Sequence, residues 1–326
     1  MKKGLKRPSN GLRMPKRVFI TGGAGFIGSH LVDRLADEGC QITVYDNLSS
    51  GKEKFIARHT SKSYFKLIKA DLLDLDNLKS AIKNHDIVFH LAANPDIRYG
   101  ISHTDTDLKQ NTIVTYNVLE TMRLAGVKQI AFSSTSTIYG EPSLMPTPED
   151  YGPLYPISLY GASKLACEAL TTSFCHTFDM KCWIYRFANI VGGRGTHGII
   201  YDFINKLKKN PKELEILGDG KQTKSYLLVD DCIDAMLFLM NNATEQFNVY
   251  NLGCDDRISI REIAELLIEN MELAGANIKY TGGSRGWPGD VPQMSLDVKK
   301  INKLGFKAKY SSKQAIVVAI NRMLGE

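Results

Sequence analysis

The chain has 326 residues, is 43% hydrophobic and 23% charged, and has a mean hydropathy of −0.18, which excludes a disordered, collagen-like or disulfide-stapled mini-protein and suits a soluble globular protein of one large or two ordinary domains. Its formal charge of +6 raises nucleic acid or anionic lipid as partners, but the excess is local: Lys2, Lys3, Lys6, Arg7, Arg13, Lys16 and Arg17 stand in the first 17 residues without an acid. The remainder holds 34 basic side chains against 35 acidic ones, so neither nucleic acid nor a membrane is an expected partner.

Residues 1–15 contain Pro8, Asn10, Gly11 and Pro15 and no apolar run of signal-peptide or membrane-span length, so they read as a disordered basic tail. Met14 directly precedes the first strand, and the tail is expected to be a cloning remnant or a misplaced start, with an anionic contact as the alternative. Short runs rich in Val, Ile, Phe and Tyr then predict strands over 17–21, 41–45, 64–69, 87–91, 129–133 and 182–187. Helical spacing runs between them near 26–38, 75–84, 104–125 and 159–179. Six βα units joined by right-handed crossovers give an α/β fold with a doubly wound parallel sheet, the Rossmann arrangement.

Beyond about residue 190 the rhythm changes to glycine-broken stretches at 192–198, 218–220 and 282–289, which suit loops over a ligand. Helical patterns at 199–208, 230–241, 259–272 and 311–323 remain. They predict a second, smaller α/β substrate-binding lobe over about 191–225 and 256–326. Residues 16–190 and about 226–255 form the nucleotide-binding domain, with chain returning to its sheet near 226–253. Six cysteines, at 40, 167, 175, 182, 232 and 254, form no Cys-x-x-Cys and accompany no His pair, so neither a metal site nor a disulfide frame is expected. They read as reduced, buried packing residues of a cytoplasmic protein, and this includes Cys167 despite its place near the Tyr/Lys motif below.

Residues 18–28, VFITGGAGFIG, join the first strand to the first helix. Gly22 allows a tight turn, Gly25 lets backbone amides approach a pyrophosphate at the positive helix end, and Gly28 permits close helix–strand packing. Asp46 ends the second strand 18 residues after Gly28, where its carboxylate accepts from an adenosine ribose and repels a 2′-phosphate, favouring NAD over NADP. Asn47 and Leu48-Ser49-Ser50-Gly51 are placed to wrap the ribose edge. Asp71-Leu72 follows the third strand at the adenine, although Asp71 is equally placed to cap the helix at 75–84.

Tyr160 and Lys164 are four residues apart at the start of a helix, hence on one face. A phenol has an ordinary pKa of about 10, and a neighbouring ammonium favours its phenolate, so that Tyr160 can take a hydroxyl proton as hydride leaves the same carbon. The hydroxyl run Ser133-Ser134-Thr135-Ser136-Thr137 directly follows the fifth strand, at the sheet edge where such folds bind ligands.

Together these residues resemble the extended short-chain dehydrogenase/reductases, and within them the NAD-dependent nucleotide-sugar epimerase/dehydratase group. The carriers are 21–28, Asp46-Asn47, Asp71-Leu72, His90-Leu91-Ala92-Ala93, Ser133 to Gly140, Tyr160 to Lys164, Arg186-Phe187-Ala188-Asn189 and Gly289-Asp290, spanning nearly all of 16–326. The resemblance implies NAD bound by Gly22, Gly25, Phe26, Ile27, Asp46, Asn47, Ser49, Gly51, Asp71, Leu72, Leu91, Ala92, Ala93, Asn111, Ser133, Tyr160, Lys164 and Phe187. It makes Thr135 the third member of a catalytic triad with Tyr160 and Lys164.

Within the group, 4,6-dehydratases carry an Asp-Glu pair after that Thr and UDP-glucuronate decarboxylases a Glu. Here Ser136-Thr137 stand instead, which favours a reaction of reversible oxidation alone. The chain is most similar to the UDP-glucose 4-epimerases, so the implied activity is 4-epimerisation of a UDP-hexose, plain or N-acetylated, through a transient 4-keto sugar. The implied substrate contacts are Thr135, Asn189, Lys224, Tyr226, Arg285, Asp290 and Met294. Lys224 replaces the group's usual Arg and Trp287 the second one, with Arg285 two residues earlier; a lysine neutralises phosphate without gripping it bidentately. Met294 falls where the group limits sugar size.

The alternatives are UDP-sugar dehydration, UDP-uronate 4-epimerisation or decarboxylation with Arg98 or Arg194 meeting the carboxylate, and a non-catalytic NAD-binding protein, against which Tyr160 and Lys164 stand. By the same resemblance the helices at 104–125 and 159–179 pair across a two-fold in a homodimer, with Tyr116, Leu119 and Phe174 as interface or core.

Overall fold

The structure, a computed structural model, describes residues 15–325, so residues 1–14 of the expected tail lie outside it. Six strands, β1 (Arg17–Thr21), β2 (Gln41–Asp46), β3 (Phe65–Lys69), β4 (Ile87–His90), β5 (Gln129–Thr135) and β6 (Lys181–Phe187), join Phe247–Leu252 in one sheet. Its order is 247–252, β6, β5, β4, β1, β2, β3, and every pairing is parallel. The helices α1 (Phe26–Asp37), α2 (Leu75–Ala81), α3 (Val114–Ala125) and α4 (Leu159–Phe178) cover its two faces.

The alternation of side chains along a strand divides the core. Val18 and Ile20 pack on one side with Leu31 and Leu35 of α1 and with Met236 and Leu239 of Val229–Asn242. Phe19, between them, faces the other side with Leu78, Val118, Leu119 and Ile184. Both faces are covered, which is why the central strands are apolar throughout. Strand order reverses between β1 and β4, so the crevice for a ligand opens at their carboxyl ends.

A third apolar cluster, with Phe203, Leu207, Leu214, Ile263, Ile316 and Ile320, builds the smaller lobe from Ile199–Lys209, Ile260–Asn270 and Ser312–Leu324. Small sheets edge it: Glu213–Ile216 pairs with Asn277–Tyr280, and Thr223–Lys224 lies between Ile258–Ser259 and Gln293–Met294.

Three expectations change. The return to the main sheet is made by Phe247–Leu252 alone, because Tyr226–Leu228 pairs with Asn189–Val191 in a separate ribbon. The helical stretch at 104–125 contains a π-helical turn, Leu108–Ile113, before α3. Asp74, not Asp71, caps α2 by accepting from Asn77 N at 3.1 Å. The six cysteines are free and buried. Among the described residues no helix is long and apolar enough to cross a membrane.

Candidate active site

β1 enters its turn with Gly22 at φ +70°, where a Cβ would lie 2.7 Å from Ala92 N, and a Cβ on Gly28 would lie 2.2 Å from Gly22 O. Strand, turn and helix can approach this closely only without side chains. Gly25 then opens α1 with no capping side chain and no acid in the first turn, so the positive helix end is left for an anionic ligand. Asp46 is 8% exposed. Its Oδ2 accepts from Ala24 N at 2.9 Å and its Oδ1 from Leu48 N at 2.8 Å. Burial pushes its pKa up, against the pull of those two N–H groups.

Asp71 braces this end: Asn47 Nδ2 donates to its Oδ2 at 3.0 Å and Leu73 N to its Oδ1 at 2.8 Å. An uncapped helix start beside a buried carboxylate fits a dinucleotide with a free ribose diol. Gly22, Gly25, Phe26, Ile27, Asp46, Asn47, Ser49, Gly51, Asp71, Leu72, Leu91, Ala92, Ala93, Ser133 and Phe187 line a cavity of about 550 Å³, of ligand-pocket size.

Asn111 does not line it. Its Nδ2 donates to Asp107 Oδ1 at 3.1 Å and Ser163 Oγ at 2.8 Å, while its Oδ1 accepts from Asn94 N at 2.9 Å. These bonds make the expected cofactor ligand a strut between the loop after β4 and helix α4.

Ser158 caps α4, accepting from Gly161 N at 3.0 Å, and the helix presents Tyr160 and Lys164 to the cavity. Lys164 is 2% exposed. Its Nζ donates to Ser133 O at 2.8 Å and lies 6.0 Å from the Tyr160 ring centroid. Burial lowers its pKa to about 8, partly countered by Cys167, Glu168 and Asp107. Burial moves the Tyr160 phenol the other way, above its ordinary range, and Asp107 and Cys167 add to the rise. Cys167 is buried, accepts from Thr115 Oγ1, and burial pushes its thiol pKa up, as suits packing.

The hydroxyl run has distinct partners. Ser133 Oγ donates to His90 O at 3.2 Å and Ser134 Oγ to Glu168 Oε1. Thr135 Oγ1 only accepts, from Thr137 N and Thr137 Oγ1, each at 3.2 Å. Thr135 therefore keeps its own proton for a ligand, and it lines the cavity. His90, fully buried between Thr21 and Thr115, is lowered to about 3 by burial and by Lys164.

On the substrate side Thr135, Asn189, Lys224, Tyr226, Asp290 and Met294 line the cavity, and Arg285 does not. Arg285 donates to Asp290 O at 2.7 Å and to Glu141 at 2.6 Å. Lys224 Nζ is 2.7 Å from Asp290 Oδ1. Both expected phosphate cations are thus engaged with acids: Lys224 with Asp290, which at 4% exposure requires a counter-charge, and Arg285 with the exposed Glu141. Trp287 lies beside Lys224, at 5.3 Å, and Arg98, at 6.0 Å. Arg98 lines the cavity with Asp96 and Asp202 and pairs with both, whereas Arg194 is turned onto Asp33 at 2.7 Å. The residue reading missed His197, Asp202, Lys206 and Gln222, which also line the wall; the glycine break at 192–198 announced a loop, but no spacing marked these side chains.

The sequence model of the NAD dependent epimerase/dehydratase family matches residues 18–253. A UDP-glucose 4-epimerase of Mycolicibacterium smegmatis is 35% identical over 256 residues, covering 76% of this chain and 80% of that protein. A crystal structure of a UDP-galactose 4-epimerase is 38% identical and superposes with a TM-score of 0.84 over 94% of this chain and 98% of its own. A mutant UDP-glucuronic acid 4-epimerase from Bacillus cereus, solved with a fluorinated UDP-glucuronic acid and NAD, is 26% identical with a TM-score of 0.85 over 95% of this chain and 99% of its own.

Proposed function

Because the chain belongs to the NAD-dependent epimerase/dehydratase family of nucleotide-sugar enzymes, with NAD as its cofactor, we propose that it is a 4-epimerase of a UDP-hexose, glucose/galactose or their N-acetyl forms. The observation that carries this reading is the wall beside Tyr160. Thr135, Ser136 and Thr137 all line it, and that segment offers hydroxyls and no carboxyl. Glu168, whose carboxylate reaches the run at Ser134, is engaged by Arg186 and is not in the cavity wall. Elimination of water needs a further acid and base at this position; reversible oxidation needs only the base that Tyr160 provides.

Held by the glycine turn and Asp46, NAD would supply the reversible hydride acceptor that inversion at C4 of the sugar requires. Thr135 donates to the 4-oxygen, and Tyr160 takes its proton. The phenol is held neutral by burial in the protein alone, so Lys164, the buried ammonium on the same helix face, supplies the positive charge that the phenolate requires. Asn189 and the Lys224–Asp290 pair face the diphosphate, and retention of the 4-keto sugar draws on those contacts. Flexible Met294 leaves room for an N-acetyl group.

Uronates are the second reading, and the charges of the wall disfavour them: Arg98 is outnumbered by its partners Asp96 and Asp202. Incubation with UDP-glucose, UDP-N-acetylglucosamine and UDP-glucuronate, resolved by NMR, is expected to show inversion at C4 of a hexose. Loss of water or CO₂, or inversion of the uronate alone, overturns the proposal. Tyr160→Phe is expected to lower turnover by about 10²- to 10⁴-fold, and full activity in that variant overturns the base assignment.

A further inference from the structure

Behind the cavity wall Glu168 and Arg186 form an ion pair at 5% and 7% exposure. Arg186 Nη2 is 2.8 Å from Oε2, and its Nε lies 3.1 Å from Oε1. Desolvating two charges offsets most of what such a pair contributes to stability, so its contacts are the more informative feature. The pair holds both ends of one short segment. Ser134 Oγ donates to Glu168, and Arg186 Nη1 donates to Tyr139 OH at 2.8 Å; the Tyr139 hydroxyl in turn donates to Asn251 Oδ1 at 2.8 Å. Thr135 lies between those anchors. Glu168 is also one turn beyond Lys164 and two beyond Tyr160 on α4.

We propose that Glu168, clamped by Arg186, is a positioning residue that sets the Thr135 hydroxyl against the Tyr160 phenol, acting through Ser134 and Tyr139. This rests on the reading of Thr135 and Tyr160 as the reacting pair. Ser134→Ala and Tyr139→Phe each cut one anchor and leave the ion pair whole; Glu168→Gln, which strips Arg186 of its counter-charge and is the variant at risk of misfolding, is not needed for the test.

The measurement is the rate of reduction of enzyme-bound NAD by whichever of the three UDP-sugars the wild-type holoenzyme oxidises, a step common to epimerase, dehydratase and decarboxylase chemistry. Each variant is expected to lose about tenfold in that rate and in kcat, because a misplacement of the order of 1 Å already costs that much or more. KM for the sugar, NAD content and the thermal midpoint are expected to stay near wild type. An unchanged rate, or a loss that tracks NAD content and thermal midpoint together, overturns the proposal. If the wild type oxidises none of the sugars, it is the epimerase reading that fails. Positioning is then read from crystal structures of the holoenzymes: Thr135 displaced from Tyr160 in Ser134→Ala supports it, and an unmoved Thr135 overturns it.

Discussion

The Lys164 ammonium illustrates how burial sets chemistry at a single residue. Loss of water brings its pKa to about 8, so it is mostly charged at neutral pH and loses its proton just above. The sign is fixed: support for the Tyr160 phenolate is present below about 8 and falls away as pH rises through it. Reduction of bound NAD by a UDP-sugar is therefore expected to decline on the alkaline side of that value. In Lys164→Met the decline disappears and the rate is low throughout, which stopped-flow absorbance across neutral and alkaline pH will check. That Tyr160 and Lys164 act together is legible in their four-residue spacing. Which neighbouring hydroxyl is free is not, because Ser133, Ser134 and Thr135 differ only in partners 43, 34 and 2 residues away.

Elements meet at the site with little tolerance. A Cβ on Gly161 would lie 2.8 Å from Thr137 O, so α4 packs against the hydroxyl segment only through a bare backbone. Gly161→Ala gains about 0.5–1 kcal/mol of helix preference and incurs about 1–3 kcal/mol of overpacking. The small net penalty leaves the protein folded, with a thermal midpoint a few degrees lower, while α4 is pushed from Thr135. Turnover is expected to fall by about tenfold or more, and paired calorimetry and activity assays will separate the two effects. Helical periodicity does not mark the π turn at Leu108–Ile113, because an α turn and a π turn use the same residue types and differ in which backbone carbonyl accepts each N–H. Asn111 lies in that turn and ties the loop after β4 to α4.

At the scale of the molecule, α3 and α4 present Tyr116, 45% exposed, with Phe174 packed edge-on against it at 6.2 Å, whereas Leu119 is core. We propose that a second copy covers this face, as the family resemblance implies. Tyr116→Glu is then expected to shift the sedimentation coefficient toward the monomer without loss of NAD, and an unchanged sedimentation profile counts against this face.

The sequence by itself determined the sheet, the glycine turn, the NAD preference and the Tyr/Lys pair, because each is written in residues close along the chain: apolar runs that must be buried on both faces, a helix turn, a strand end. Tertiary structure alone decided which charges remain available to a ligand. Lys224 is paired with Asp290 from 66 residues away and Arg285 with Glu141 from 144. Burial of Asp290 makes its pairing with Lys224 obligatory, whereas Arg285 and Glu141 meet at the surface, and only the folded chain brings either set of partners within reach.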